Sequence, residues 1–249
     1  MEPEQRKRVQ IIIAILLALV VLRTAFLFYQ RHKSNEPAPK QPAYSNNLDD
    51  YVSVPKVYLY DLKSAQKGLS GKSVWVKAGN QVGFYRYNSQ SGQAELKHQD
   101  GLLAPLEKLQ IKNVISQRVP RTLSEGQIVV VQHDILAVFT PAGESGTYAV
   151  SIGKSVGDDF NSTANDLFFF ADPHQLYSHW PPEIWKAIEE HKAIPGMNEL
   201  QVSFALGTAG TISPGDYGNR SIEYSNNGNP VKVTFEHNKA VSVTPAKAQ

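Results

Sequence analysis

The sequence predicts an α+β protein: an N-terminal single transmembrane helix, a β-rich domain of barrel or sandwich type, and a C-terminal unit of two helices on a three-stranded antiparallel sheet. Three observations carry this expectation. Apolar residues run almost unbroken from Val9 to Tyr29. Short runs of strand character follow one another from Val52 to Phe170. From Pro181 the apolar period becomes helical, and three short strand runs then close the chain. The expected boundaries are 1–33 for an anchor with basic flanks, 34–51 for a Pro/Asn-rich spacer, 52–175 for the β-rich domain and 176–249 for the closing unit.

The 249 residues suit one large domain or two small ones once an anchor is set aside. Apolar residues make up 41% and charged residues 19%, a balance compatible with a packed core. There is no cysteine. Disulfides, thiolate metal sites, cysteine nucleophiles and a lipid-modified N-terminal Cys are therefore excluded. The formal charge of +2 is unevenly placed. Residues 1–33 hold six Lys/Arg against two acidic residues; the remainder holds 19 against 21. The basic character belongs to the N-terminus, so nucleic acid is not expected as a partner.

Ile11–Leu22 reads IIIAILLALVVL, and Ala25–Tyr29 resumes after Arg23 and Thr24. Val9 to Tyr29 as a helix spans about 31 Å, the thickness of bilayer hydrocarbon. Arg23 lies near enough to one end for its side chain to snorkel, and Phe28 and Tyr29 sit where interfacial aromatics belong. An uncleaved anchor contacting the lipid bilayer through residues 9–29 is the reading preferred to a cleaved signal peptide or a buried helix. It implies the inner (plasma) membrane, a single pass, and a periplasmic C-terminal domain. Ser34–Asp50, with three prolines and three asparagines, reads as an extended spacer.

In the β-rich part, Ser73–Lys77 alternates and Gln81–Tyr87 is aromatic. Gln127–Val131 and Ile135–Phe139 flank a hairpin-like break at 132–134. Tyr148–Ile152 follows a Gly-containing turn at Ala142–Gly146, and Leu167–Phe170 is a short buried run. A weak helix is expected near Pro105–Leu109. Pro181–Lys192 reads as a helix, with Pro182 and Glu183 early, His191 and Lys192 late, and Ile184, Trp185 and Ile188 on one stripe. Asn198 and Gln201 form a capping box for the next helix, Met197 and Val202 occupy its staple positions, and Gly207 stops it. Arg220–Ser225, Val231–Glu236 and Ala240–Val243 are the closing strands, separated by hairpin residues.

Ile194–Gly207 reads IPGMNELQVSFALG. It resembles the helix of the SmpA/OmlA family, the BamE-like lipoproteins of outer-membrane β-barrel assembly. Gly196, Met197, Gln201, Val202, Leu206 and Gly207 are the matching positions, and the order of strands after them is similar. The likeness covers about residues 190–243. It implies a BamE-like fold for the closing unit and an extracytoplasmic protein-binding role.

Ala171–Ile184 and His191 form the densest polar-aromatic stretch. Tyr177, Trp180 and Trp185 are the candidate binding surface, because Trp and Tyr anchor interfaces. Asp172, His174, His179 and His191 are alternative zinc ligands, with Glu183 nearby, although their spacing is not that of a two-His zinc helix. Gly157–Asp166 lacks the EF-hand spacing and reads as a solvated loop. Two Gly-Lys-Ser tripeptides lack the preceding glycine of a phosphate loop, and no G-x-S-x-G elbow is present. No catalytic residue and no cofactor is assigned. The expected function is membrane-anchored protein binding or scaffolding in a bacterial envelope, with an envelope protein as partner. The alternative is a metal-dependent enzyme using the Asp172–His191 cluster.

Overall fold

The computed structural model describes residues 17, 19–29, 48–119 and 132–246. The chain divides into two compact units, Met1–Asp50 and Tyr51–Gln249. In the first, residues 17 and 19–29 form helix α1, whose apolar side chains, Val20 and Phe28 among them, are exposed. Among the described residues no helix is long and apolar enough to cross a membrane. That finding overturns the expected transmembrane anchor, and with it the single-pass inner-membrane placement and the periplasmic domain. Positions 9–16 and 18 of the expected span, its basic flanks and positions 34–47 of the spacer lie outside the described residues, as does the whole of the expected strand at 127–131.

The second unit contains two antiparallel sheets. The first uses β1 (Ser73–Val76), β2 (Gly83–Asn88), β3 (Gln93–Leu102), β4 (Lys108–Arg118), β5 (Gln132–Pro141), β6 (Tyr148–Val156), β7 (Asp159–Ser162) and β8 (Phe168–Phe169). Its order is β3-β2-β6-β5-β4-β1-β8, with β7 beside β6. The second uses β9 (Ala209–Ile212), β10 (Ser221–Tyr224), β11 (Val231–Glu236) and β12 (Lys239–Pro245), in the order β12-β11-β10-β9. Among the described residues five short α-helices accompany them: α2 (Leu62–Leu69), α3 (Ala164–Leu167), α4 (Pro173–Leu176), α5 (Pro182–Glu189) and α6 (Glu199–Leu206).

The expected fold class is corrected accordingly. The protein is a β-rich fold of two sheets, and no BamE-like two-helix module is shown. The closing sheet has four strands, because Ala209–Ile212 pairs with β10. Its core is not confined to 176–249: Phe169 belongs to it, and Trp75, Val52 and Leu106 pack against it. The expected helix at Pro105–Leu109 is a turn running into β4, and the expected break at 132–134 lies inside β5. Helix α2 begins in a capping box, Ser64 N–H donating to Asp61 and Asp61 N–H to the Ser64 hydroxyl, and this puts a helix in a stretch read as mostly strand.

Strand β5 shows why the first sheet holds together. Ile135, Ala137 and Phe139 enter one core with Val114, Val150, Leu69 and Ala65 of α2. Leu136 and Val138 enter a second on the other face, with Ala94 and Ala149 and the flanks of Tyr85 and Tyr87. Successive side chains of a strand point to opposite faces, so a continuous apolar run is what a strand covered on both faces requires. Strand β8 applies the same rule at the junction of the sheets. Phe168 is buried in the core of the first, while Phe169 pairs with Trp75 and is buried in the core of the second.

A second joint lies where α6 ends. Thr208 N–H donates to the Gly79 carbonyl at 3.0 Å, and Asn80 Nδ2 donates to the Leu206 carbonyl at 2.9 Å. Gly207 has φ 89°, and a Cβ there would lie 2.4 Å from the Gly79 oxygen. Only glycine permits both that backbone and that approach.

Candidate functional site

A small pocket of about 280 Å³ lies between the turn after β3 and helix α5. One wall is the turn Ala104–Glu107 between β3 and β4; the other is α5 with His174 and His191. Leu106 sits in the left-handed region at φ 56°, which a side chain adopts only at a cost of about 1 kcal/mol. The turn is held from both sides. Leu106 N–H donates to the Val76 carbonyl and Val76 N–H to the Glu107 carbonyl. Glu107 closes it by accepting the Ala104 N–H at 3.0 Å. That bond keeps the carboxylate at the pocket wall, where burial pushes its pKa up and Glu144 adds to the rise, against the lowering by Ala104. Among the described residues Glu107 forms no ion pair.

The opposite wall begins at α4. Asp172 caps this helix by accepting His174 N–H, and Pro173 fills the first turn. The His174 ring stacks on Trp185 at 4.1 Å between centroids. Its Nδ1 lies 3.2 Å from Asp172 Oδ1 and its Nε2 3.4 Å from Glu189 Oε1. Each ring nitrogen thus faces one carboxylate, and the two carboxylates hold the imidazole from either side. His191, at φ 53° just past α5, donates from Nδ1 to the Ala205 carbonyl at 3.3 Å. His174, Asp172 and Glu189 thus position one another, while His191 and Glu107 bond to the backbone.

The predicted residues separate. Of the candidate binding surface, Tyr177 and Trp180 are each 5% exposed and belong to the core, which corrects their assignment to a surface. They pack with Phe204: Tyr177 to Trp180 at 4.5 Å, and each to Phe204 at 5.1 Å. Trp185 alone remains half-buried and reaches the pocket. Of the candidate metal ligands, Asp172 and His174 meet, and His191 lines the same pocket from another element. His179 lies instead beside Tyr177 and Trp180, about 6.2 Å between rings. Among the described residues no group of three or more His, Asp or Glu side chains is arranged to hold a metal ion. Glu183 is exposed on α5 and does not line the pocket.

The motif residues are structural. Asn198 and Gln201 form the capping box, each accepting the other's backbone N–H, at 2.8 and 2.9 Å. Met197, Val202 and Leu206 are buried, and Gly196 donates its N–H to the Ala240 carbonyl. Glu107 and Leu106 were missed by sequence reasoning, which read Pro105–Leu109 as a helix. The local signal was the placement of Glu107 three residues after Ala104, a spacing that lets a carboxylate close a turn. No protein-family model matches the chain, and neither curated proteins nor solved structures yield a match to it.

Proposed function

We propose that this chain is a protein-binding or scaffolding module that seats one basic side chain of its partner in the Glu107–Trp185 pocket. One observation carries the reading: the Glu107 carboxylate is partly desolvated at a pocket wall, and its proton affinity is raised rather than met by a cation. An incoming guanidinium supplies the missing charge. Size supports a side chain over a free metabolite, since small-molecule sites run from about 300 to 1,000 Å³ and this pocket holds about 280 Å³. Arg is the better fit than Lys, because its planar fork serves a carboxylate with two parallel bonds. The second carboxylate at the wall, Glu189, adds to the attraction while it bridges to His174.

The test is a nuclear magnetic resonance titration with N-acetyl-arginine amide, using the neutral N-acetyl-citrulline amide as control. The arginine probe is expected to shift the Ala104 amide and the Trp185 indole signals, and the citrulline probe to leave them in place. Glu107→Gln, which keeps the bond from Ala104, is expected to abolish the arginine response. Equal responses to the two probes, or none to either, overturn the reading.

A further inference from the structure

Strand β3 is the outermost strand of the first sheet, and its outer edge is held in an unusual way. On the inner side it pairs with β2 at Gln93 and Ala94 and again from Gln99 to Leu102. Between these stretches Glu95–His98 stand opposite Arg86 alone, so the ladder there is interrupted. On the outer side the neighbour is the end of β4. Ser91–His98 and Ser116–Arg118 line a cleft of about 610 Å³ between them.

Among the described residues no strand pairing crosses that cleft. The Gln117 carboxamide crosses it instead. Ala94 N–H donates to Gln117 Oε1 at 2.8 Å, and Gln117 Nε2 donates to the Ala94 carbonyl at 2.8 Å. This is the two-bond exchange of a hydrogen-bonded antiparallel pair, with a side-chain amide standing where a second strand's residue would be. The N–H and C=O of Ala94 therefore both point away from β2, toward the cleft. The fold uses the same device elsewhere on an extended segment of its own: Asn165 exchanges two bonds with the backbone of Val57, at 2.9 and 2.7 Å. Side-chain amides in this protein thus hold single extended stretches of chain.

The cleft also has a sign. Lys97 and Arg118 are exposed at its walls with His98, against Glu95 as the one acidic residue. Among the described residues no ion pair uses Lys97 or Arg118, while Arg86 nearby pairs with Asp100 at 3.4 Å. We propose that an extended acidic segment of a partner protein adds here as a strand beside β3, replacing the Gln117 carboxamide at Ala94 and placing carboxylates against Lys97 and Arg118. Main-chain bonds provide the affinity and the charged walls the selectivity, as in other strand-addition complexes. This surface is separate from the Glu107–Trp185 pocket, and neither reading requires the other.

The probe is a fluorescein-labelled peptide of alternating Glu and Val, seven residues long, followed by fluorescence anisotropy against the full chain. Two controls accompany it: the same peptide with Lys for Glu, and the acidic peptide N-methylated at alternate residues. The acidic peptide is expected to bind at least about tenfold more tightly than either control, and to protect the Ala94 amide from hydrogen exchange. The exposed double change Lys97→Glu with Arg118→Glu is expected to lose that binding while the circular dichroism spectrum is retained. Gln117→Ala is expected to tighten binding, because the peptide no longer displaces a side chain. Equal binding of the N-methylated peptide overturns strand addition, and equal binding of the basic peptide overturns the acidic partner. A dimer of the free chain that Lys97→Glu disrupts would assign the edge to a second copy and overturn the proposal.

Discussion

Arg220 grips the carboxylate of Glu199 through two nitrogens, Nη2 reaching Oε2 at 2.7 Å and Nε lying 3.1 Å from Oε1. Glu199 opens α6 and is nearly buried; Arg220 leads into β10, and the Gly218 N–H donates to the same carboxylate at 2.5 Å. The pair therefore fastens the start of a helix to the start of a strand. The Glu199 bonds and charge hold the Arg220 guanidinium above its ordinary pKa, outweighing desolvation.

Removing one partner strands the other. Arg220→Leu leaves a buried carboxylate without its cation and is expected to cost about 3–5 kcal/mol. Replacing both, Glu199→Leu with Arg220→Leu, is expected to cost much less than the single change, since no buried charge remains. Urea unfolding of the two single variants and the double variant measures this as a cycle.

Gly207→Ala is expected to destabilise by roughly 1–3 kcal/mol from the backbone alone, because φ 89° with ψ −165° is a region essentially reserved for glycine. The collision with the Gly79 oxygen adds to that cost. Gly196→Ala has the same sign of φ but open space around it, so its cost is expected to be smaller. Thermal unfolding of the two variants in parallel separates strain from collision.

Glu107 makes stability depend on pH in a defined direction. Burial raises its folded pKa above the ordinary 4.5. A carboxyl shifted upward contributes stability that is fully present below its unfolded value and is lost as pH rises through the folded one. Glu107→Gln removes that loss. The variant is expected to match the wild type near about pH 4 and to exceed it near about pH 7, as read from urea midpoints at both values. A variant less stable than the wild type at neutral pH but equal to it at about pH 4 contradicts the assigned direction.

Phe168→Ala and Phe169→Ala strike different cores, yet both are expected to lower a single unfolding transition, each by about 3–5 kcal/mol. Near-ultraviolet circular dichroism, which reports the aromatic cluster at Trp180, and far-ultraviolet circular dichroism, which reports the sheets, are expected to move together in each variant. Separated transitions would mean that the two sheets melt independently.

The parts of the fold readable from residues alone are those whose determinants are local. The capping box at Asn198 and Gln201, the apolar run Ile135–Phe139 and the strand Val231–Glu236 all emerge near their expected places. Strands β3 and β4 did not announce themselves. Gln93–Leu102 is polar along most of its length because it is an edge, with one apolar contact at Ala94 and another at Leu96. The aromatic residues posed a different difficulty. Tyr177, Trp180 and Trp185 have the composition of a binding surface, and contact with Phe204 of α6, more than 20 residues further along the chain, marks the first two as core. The anchor expected from the N-terminal apolar run is overturned because, among the described residues, no helix is long and apolar enough to cross a membrane. Glu107 was invisible because its neighbours in the pocket arrive from α4 and α5, some 70 residues downstream.

The two-residue strand β8 also orders events in time. During synthesis β1 emerges early and β4 soon after, but Trp75 waits for Phe169 until most of the chain has left the ribosome. Until then the β1 flank of the first sheet is an open edge, the interval in which a nascent chain is most exposed to pairing with its neighbours. One dipeptide ends that interval. Phe168 seals the sheet already formed, and Phe169 supplies the aromatic floor on which the last four strands assemble.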